Sequence, residues 1–178
     1  MFSTPKKSAD GRYYAKTSQP VMMQVNNVRL SGKFSDSDTV TIEISDTSKI
    51  FNIDAQIIQA AKDNSESWFG KVLADKTLEA AYTGSVVNNV MNVDKATHKG
   101  ESVCRTFAAD KTFIDHEYIE DGVVCDVYLE FAGVYFLKKS YSPAWKLVQL
   151  KIRPGPKNKY TDECLFQDDD IEESDDEL

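Results

Sequence analysis

The stretch 123–137, VVCDVYLEFAGVYFL, constrains this chain more than any other part of it. Val127, Leu129 and Phe131 alternate with Asp126, Tyr128 and Glu130. A period of two marks a strand with one face in a core and one in solvent. Gly133 interrupts the alternation, which predicts a bulge or a corner of the kind small barrels use. Ser142-Pro143 predicts a turn, 145–153 (WKLVQLKIR) a returning strand, and Pro154-Gly155-Pro156 its end.

Other segments agree with a β-rich body. Residues 21–30 (VMMQVNNVRL) and 39–45 (TVTIEIS) predict strands, the second with Val40, Ile42 and Ile44 on one face. Segments 86–93, 102–107 and 111–119 predict more. Between them the period changes. Ile57, Ile58 and Ala61 make a helical stripe, with Asp54 as N-cap and Ile53 stapled to Ile58, so 55–62 predicts a short helix. A second follows near 75–82, with Asp75 as cap, Leu78, Ala81 and Tyr82 inward, and Gly84 to end it. The rings of Trp68 and Phe69 between the two suit plugging a helix against a barrel better than stacking on a base. Six or seven strands, one helical insertion and no βαβ alternation predict a mainly β, small antiparallel barrel or sandwich. Pattern alone does not choose between these. The expected organisation is a loose N-terminal arm over 1–18, a body over 19–159 with the helical insertion at about 54–82, and a disordered acidic tail over 160–178.

Charge divides the chain in the same way. The formal charge is −8, from 21 Lys and Arg against 29 Asp and Glu. Ten of those acids lie in 161–178, where there is no base, so residues 1–160 hold 21 bases against 19 acids. The body is mildly basic, and the net acidity says nothing against nucleic acid. A run such as Asp168, Asp169, Asp170, Glu172, Glu173, Asp175, Asp176 and Glu177 has little to bury and repels itself. It can keep a protein soluble, or it can imitate nucleic-acid charge in the protein's own basic groove.

Several function classes drop out. No run of about 18 apolar residues suggests a membrane span. Lys6 and Lys7 have no apolar segment behind them, so a secretory signal is not expected. Cys104, Cys125 and Cys164 lack C-x-x-C spacing, which fits reduced thiols in an intracellular setting. His98 and His116 have no metal-ligand partner at helical spacing. No phosphate loop, nucleophile elbow or nuclease carboxylate cluster is present, so neither an enzyme nor a cofactor is expected.

The informative segment is 131–160. Between Glu130 and Asp162 lie Lys138, Lys139, Lys146, Lys151, Arg153, Lys157 and Lys159 without an acid, interleaved with Phe131, Tyr135, Phe136, Tyr141, Trp145 and Tyr160. Cations neutralise phosphates and release counterions, while aromatic rings stack on bases without reading sequence. Regular alternation over 145–153 would put Val148, Leu150 and Ile152 in the core. It would put Trp145, Leu147, Gln149, Lys151 and Arg153 on the other face. The candidate nucleic-acid residues are Tyr135, Phe136, Lys138, Lys139, Tyr141, Trp145, Gln149, Lys151 and Arg153, with at most one of Tyr135 and Phe136 stacking.

The chain resembles the single-stranded DNA-binding proteins of podovirus-type phages and their counterparts in large eukaryotic DNA viruses. The likeness rests on Leu129-Glu130-Phe131, Val134-Tyr135-Phe136-Leu137-Lys138-Lys139, Trp145, Val148-Gln149-Leu150-Lys151 and the acidic end. Ile57, Ile58, Ala61, Lys62, Asn64, Trp68-Phe69-Gly70-Lys71 and Leu78 add to it. The resemblance implies an oligonucleotide-binding (OB) barrel and sequence-tolerant binding of single-stranded DNA in viral replication or recombination. It also implies a tail that docks replication proteins such as a polymerase or helicase-primase, and a site in the host-cell nucleus or a cytoplasmic viral replication compartment. A homodimer is compatible with this reading. One departure is the last residue: such phage tails usually end in an aromatic, and this one ends in Leu178. The competing reading is a β-rich interaction or virion-assembly protein that binds no nucleic acid.

Overall fold

The computed structural model describes residues 1–155, 160 and 163–167. The expectations for the acids from Asp168 to Glu177, and for Lys157 and Lys159, fall outside the described residues. In chain order the elements are β1 (Lys6–Lys7), β2 (Tyr13–Ser31), β3 (Thr39–Glu43), α1 (Ser48–Asp63), α2 (Ser65–Phe69), α3 (Asp75–Ala81), β4 (Val90–Lys95), β5 (Thr97–His98), β6 (Glu101–Ser102), β7 (Arg105–Phe107), β8 (Val124–Phe136) and β9 (Tyr141–Ile152).

Strand pairing closes on itself. β2 pairs antiparallel with β3, β3 with β4, and β8 with both β9 and β2, while β4 meets β9 in parallel. The five strands therefore form a barrel of order β2-β3-β4-β9-β8, which is the closure of an OB fold. The short β7 continues the β4 edge along β9, again in parallel. Closure removes the long edges that would otherwise invite pairing with other chains.

Inside the barrel, Val25, Leu30, Ile42, Met91, Val127, Leu129, Leu147 and Leu150 are buried. Removing side chains of this size from water contributes about 1.5–3 kcal/mol each. The helices enter between β3 and β4. Ile50, Ile53, Ile57 and Ala61 line the buried stripe of α1, and Leu78 of α3 is fully enclosed. Trp68 packs edge-on against Phe2 and Phe136, so the rings of α2 do plug the barrel.

Four expectations need correction. Residues 1–18 are not a loose arm: Tyr13 to Lys16 pair with β8, and Phe2 bridges to Thr17 and packs on Phe131. The polar composition of that segment reflects its solvent face. Asp54 is not a cap but lies in the middle of α1, on its buried stripe. There it accepts hydrogen bonds from the Tyr82 hydroxyl (2.6 Å) and the Ser85 amide (3.2 Å). Ser142-Pro143 lies within β9. The turn comes earlier, closed by the Leu137 amide donating to the Ser140 carbonyl (2.8 Å). Residues 111–119 form no strand; Phe113 makes a single bridge to Phe107, and His116–Tyr118 is a 3-10 turn.

Candidate nucleic-acid interface

Bulges decide which side chains reach the outer surface of the barrel. Pairing of β8 with β9 slips between Tyr128 and Leu129, leaving Val148 as the extra residue, and again between Phe131 and Gly133. The Val148 bulge lets Leu147 and Leu150 both point inward, whereas regular alternation would separate them. Trp145 therefore joins Leu147 in the core, and Gln149, Lys151 and Arg153 alone keep the outward side.

Three expected contacts are thereby withdrawn from the surface. Trp145 is 4% exposed, and its indole N–H donates to the Ser85 hydroxyl (2.8 Å). Tyr141 is fully buried, with its hydroxyl donating to the Leu78 carbonyl (2.9 Å). Phe136 is buried against Trp68, Phe69 and Tyr141. None of the three offers a free face to a base. Each ties the helical insertion to the β8–β9 hairpin instead. Tyr135 is the ring of the Tyr135/Phe136 pair that faces outward.

What lies on the outer face is a row across four strands: Gln24 of β2, Tyr128 of β8, Gln149 of β9 and Arg105 of β7. With strands about 4.8 Å apart, the row is about 14 Å wide. The neighbouring row holds Asp126, Lys151 and Phe107. Gln24, Tyr128, Gln149, Asp126, Lys151 and Phe107, together with Lys111, enclose a groove of about 310 Å³ floored by Val127 and Leu150, and Arg105 lies beside it next to Gln149. Tyr128 is 39% exposed. Asp126 is the local counter-charge. It receives Arg153 at 2.9 Å and Lys151 at 3.7 Å, and it accepts the amide of Asn27 (2.9 Å), whose left-handed backbone marks a bulge in β2.

Farther along β8, about 23 Å from Tyr128 at the strand rise, is a second cluster. The Tyr14 and Tyr135 rings lie 5.0 Å apart, and the Arg12 guanidinium sits 3.9 Å over Tyr135. The Tyr14 hydroxyl donates to the Ala132 carbonyl (2.6 Å). Burial pushes the Tyr14 phenol up to about 12 and Tyr135 in the same direction, so both stay neutral near pH 7. Tyr14 can lie flat there because Gly133 has no side chain: a Cβ at that position would stand 2.7 Å from the Tyr14 ring and collide with the Ala15 carbonyl. Lys138 and Lys139 are exposed at the adjoining hairpin tip.

The outer face of β3 and β4 has a different character. Thr39 donates to Asp94 (2.8 Å) and Thr41 to Asn92 (2.7 Å), with Glu43 alongside and no cation on either strand's outward side. In OB barrels the corresponding strands commonly carry the nucleic-acid surface. Here the cations and rings sit on β2, β8, β9 and β7.

Of the expected residues, Gln149 and Lys151 line the groove, Arg153 is held beside it by Asp126, and Tyr135, Lys138 and Lys139 lie at the other end of the hairpin. Tyr128, Gln24, Arg105, Phe107, Lys111, Arg12 and Tyr14 were not expected. One signal for the N-terminal members is in the sequence: before Asp36 there are six bases, Lys6, Lys7, Arg12, Lys16, Arg29 and Lys33, and one acid, Asp10.

Among solved structures, the fold is similar to that of the single-stranded DNA-binding protein from bacteriophage Enc34, at 13% identity and a TM-score of 0.50, covering 92% of this chain and 96% of that one. A C-terminal truncation of the same phage protein gives 14% identity and a TM-score of 0.50, covering 88% and 96%. The same protein in complex with single-stranded DNA gives 14% and 0.48, covering 88% and 98%. At such identity the likeness is one of fold, and it concerns the phage side of the resemblance, not the eukaryotic viruses. No curated protein matches the sequence. Residues 26–168 match a family described as a family of unknown function (DUF5871), and the chain belongs to that family.

Proposed function

We propose that this chain binds single-stranded DNA without sequence preference, along the outer face of β2, β8, β9 and β7. The observation that carries the reading is the groove at Tyr128, where an exposed ring, two amides and the cations Arg105, Lys111 and Lys151 converge on one barrel face. A ring and an amide can engage a base while cations neutralise flanking phosphates, and neither contact requires a particular base. The phage protein of similar fold is named for this activity, which supports the reading at the level of architecture.

The acids of 161–178 enter the proposal as a tethered competitor. β9 ends at Ile152, between Lys151 and Arg153, so the last strand before the tail ends beside the groove that the tail would occupy. Removing 161–178 changes the net charge from −8 to +2 and should tighten single-strand binding, most of all at low salt. A neutral Gly/Ser tail of equal length should behave like the truncation, and a scrambled acidic tail like the parent. Docking of replication proteins by this tail belongs to the same proposal.

The reading as a whole is tested by fluorescence anisotropy of labelled oligonucleotides over a salt series. Single strands should bind better than duplex, and log K should fall linearly with log salt at about 0.7 per phosphate contacted. An interaction or assembly protein would show neither.

A further inference from the structure

A second groove lies on the opposite side of the same hairpin end. It measures about 530 Å³ and is lined by Arg12, Tyr13, Phe69, Phe136, Leu137 and Lys138, among others, with no acid in its lining. Register explains its make-up. Lys7 pairs with Tyr13 and Tyr13 with Phe136, so these three share one face, while Lys6, Tyr14 and Tyr135 share the other. Phe136 is covered by α2, but Tyr13 lies beyond the helix and is 53% exposed. Lys7 on this face and Lys138 and Lys139 at the hairpin tip stand exposed near it. The one nearby acid of the segment, Asp10, is taken up by Arg12 at 2.6 Å and by the Ser8 hydroxyl.

We infer that this groove is a second nucleic-acid subsite, which takes the end of a single strand that has crossed the outer face. Resting on the single-strand reading above, the inference adds a path: the strand passes the Tyr14–Tyr135 cluster, turns over the edge at Arg12, and places a base on Tyr13 with phosphates against Lys7 and Lys138. Two observations commit the groove to this occupant. Among the described residues its rim is cationic, with Asp10 paired to Arg12 alone and no ion pair to an acid at Lys7 or Lys138, as a polyanion requires. It is also continuous with the first surface, because Arg12 both covers Tyr135 and lines the groove. An acidic peptide would satisfy the charge but not the continuity.

The test compares homopolymeric oligonucleotides of about 6 and about 18 nucleotides, lengths that bracket one and more than one contact region for an OB barrel. The full chain is compared with Tyr13→Ala and with Lys7→Ala/Lys138→Ala. Both variants alter exposed positions, and thermal melts check that they fold. Each should bind the long oligonucleotide roughly tenfold more weakly and the short one as the parent does. The double Lys variant should also reduce the salt slope for the long strand by about 1.4. Parent-like binding of the long strand overturns the subsite while leaving the outer-face reading intact. So does an equal loss on both lengths, or a loss confined to capture of a peptide of residues 163–178. A parent chain that binds neither length overturns both readings together.

Discussion

Asp126 sets the charge of the outer-face groove more than any other residue. It holds Arg153 and Lys151 while accepting the Asn27 amide, so one carboxylate compensates two of the cations proposed to meet phosphates. Asp126→Asn keeps an acceptor for the Asn27 amide and frees both cations. Single-strand affinity should rise severalfold, by about 1 kcal/mol, with a steeper salt dependence, as measured by anisotropy titration. Unchanged affinity would mean that Lys151 and Arg153 do not face DNA. The outward orientation of Tyr128 and Asp126 was legible from the alternation in 123–131. The inward orientation of Trp145 was not, because the Val148 bulge shifts the pleat by one residue and nothing in the residue types around Val148 announces it.

At the scale of elements, the β8–β9 hairpin does two jobs with its two faces. Its inner face carries Phe131, Phe136, Tyr141 and Trp145, which anchor the helices; its outer face carries the candidate contacts. The hinge between these roles is Gly133, where Tyr14 crosses the strand. Gly133→Ala should destabilise the fold by about 1–3 kcal/mol, because the methyl group must displace either the ring or the Ala15 carbonyl, and urea unfolding measures this. A parent-like midpoint would show that Tyr14 moves aside freely. The bend at Gly133 was visible in the sequence as a break in alternation. The length of β2 was not, since Tyr13 to Lys16 pair with β8 through polar and aromatic residues that carry no strand-like apolar alternation. Asp54 misled for a related reason: a carboxylate before an apolar stripe resembles a cap, and only the fold supplies Tyr82 and Ser85 as its partners.

For the whole molecule, burial ties stability to alkaline pH. The Cys104 thiol is held up to about 11, and the Cys125 thiol and Tyr141 phenol to about 12, in each case mainly by loss of solvent. Unfolded, these groups release protons at their ordinary values of 9.0 and 10.0, so around and above those values the native state binds more protons than the unfolded one. Stability should then fall as pH rises, at up to about 1.4 kcal/mol per pH unit for each group. Burial lowers Lys95, which acts in the opposite sense below 10.5, but one group does not offset three. Unfolding midpoints should therefore drop between about pH 8 and about pH 11, and a flat profile would contradict the burial of these groups. The central claim is that single-stranded DNA lies on the β2–β8–β9–β7 face and not on β3–β4. It is tested most directly by titrating one labelled oligonucleotide, at one salt concentration, with Tyr128→Ala and with Thr41→Ala/Asn92→Ala. The account predicts a loss of about 1–3 kcal/mol for Tyr128→Ala and parent affinity for the β3–β4 double variant. Parent affinity for Tyr128→Ala, with a loss for the β3–β4 variant, would contradict it.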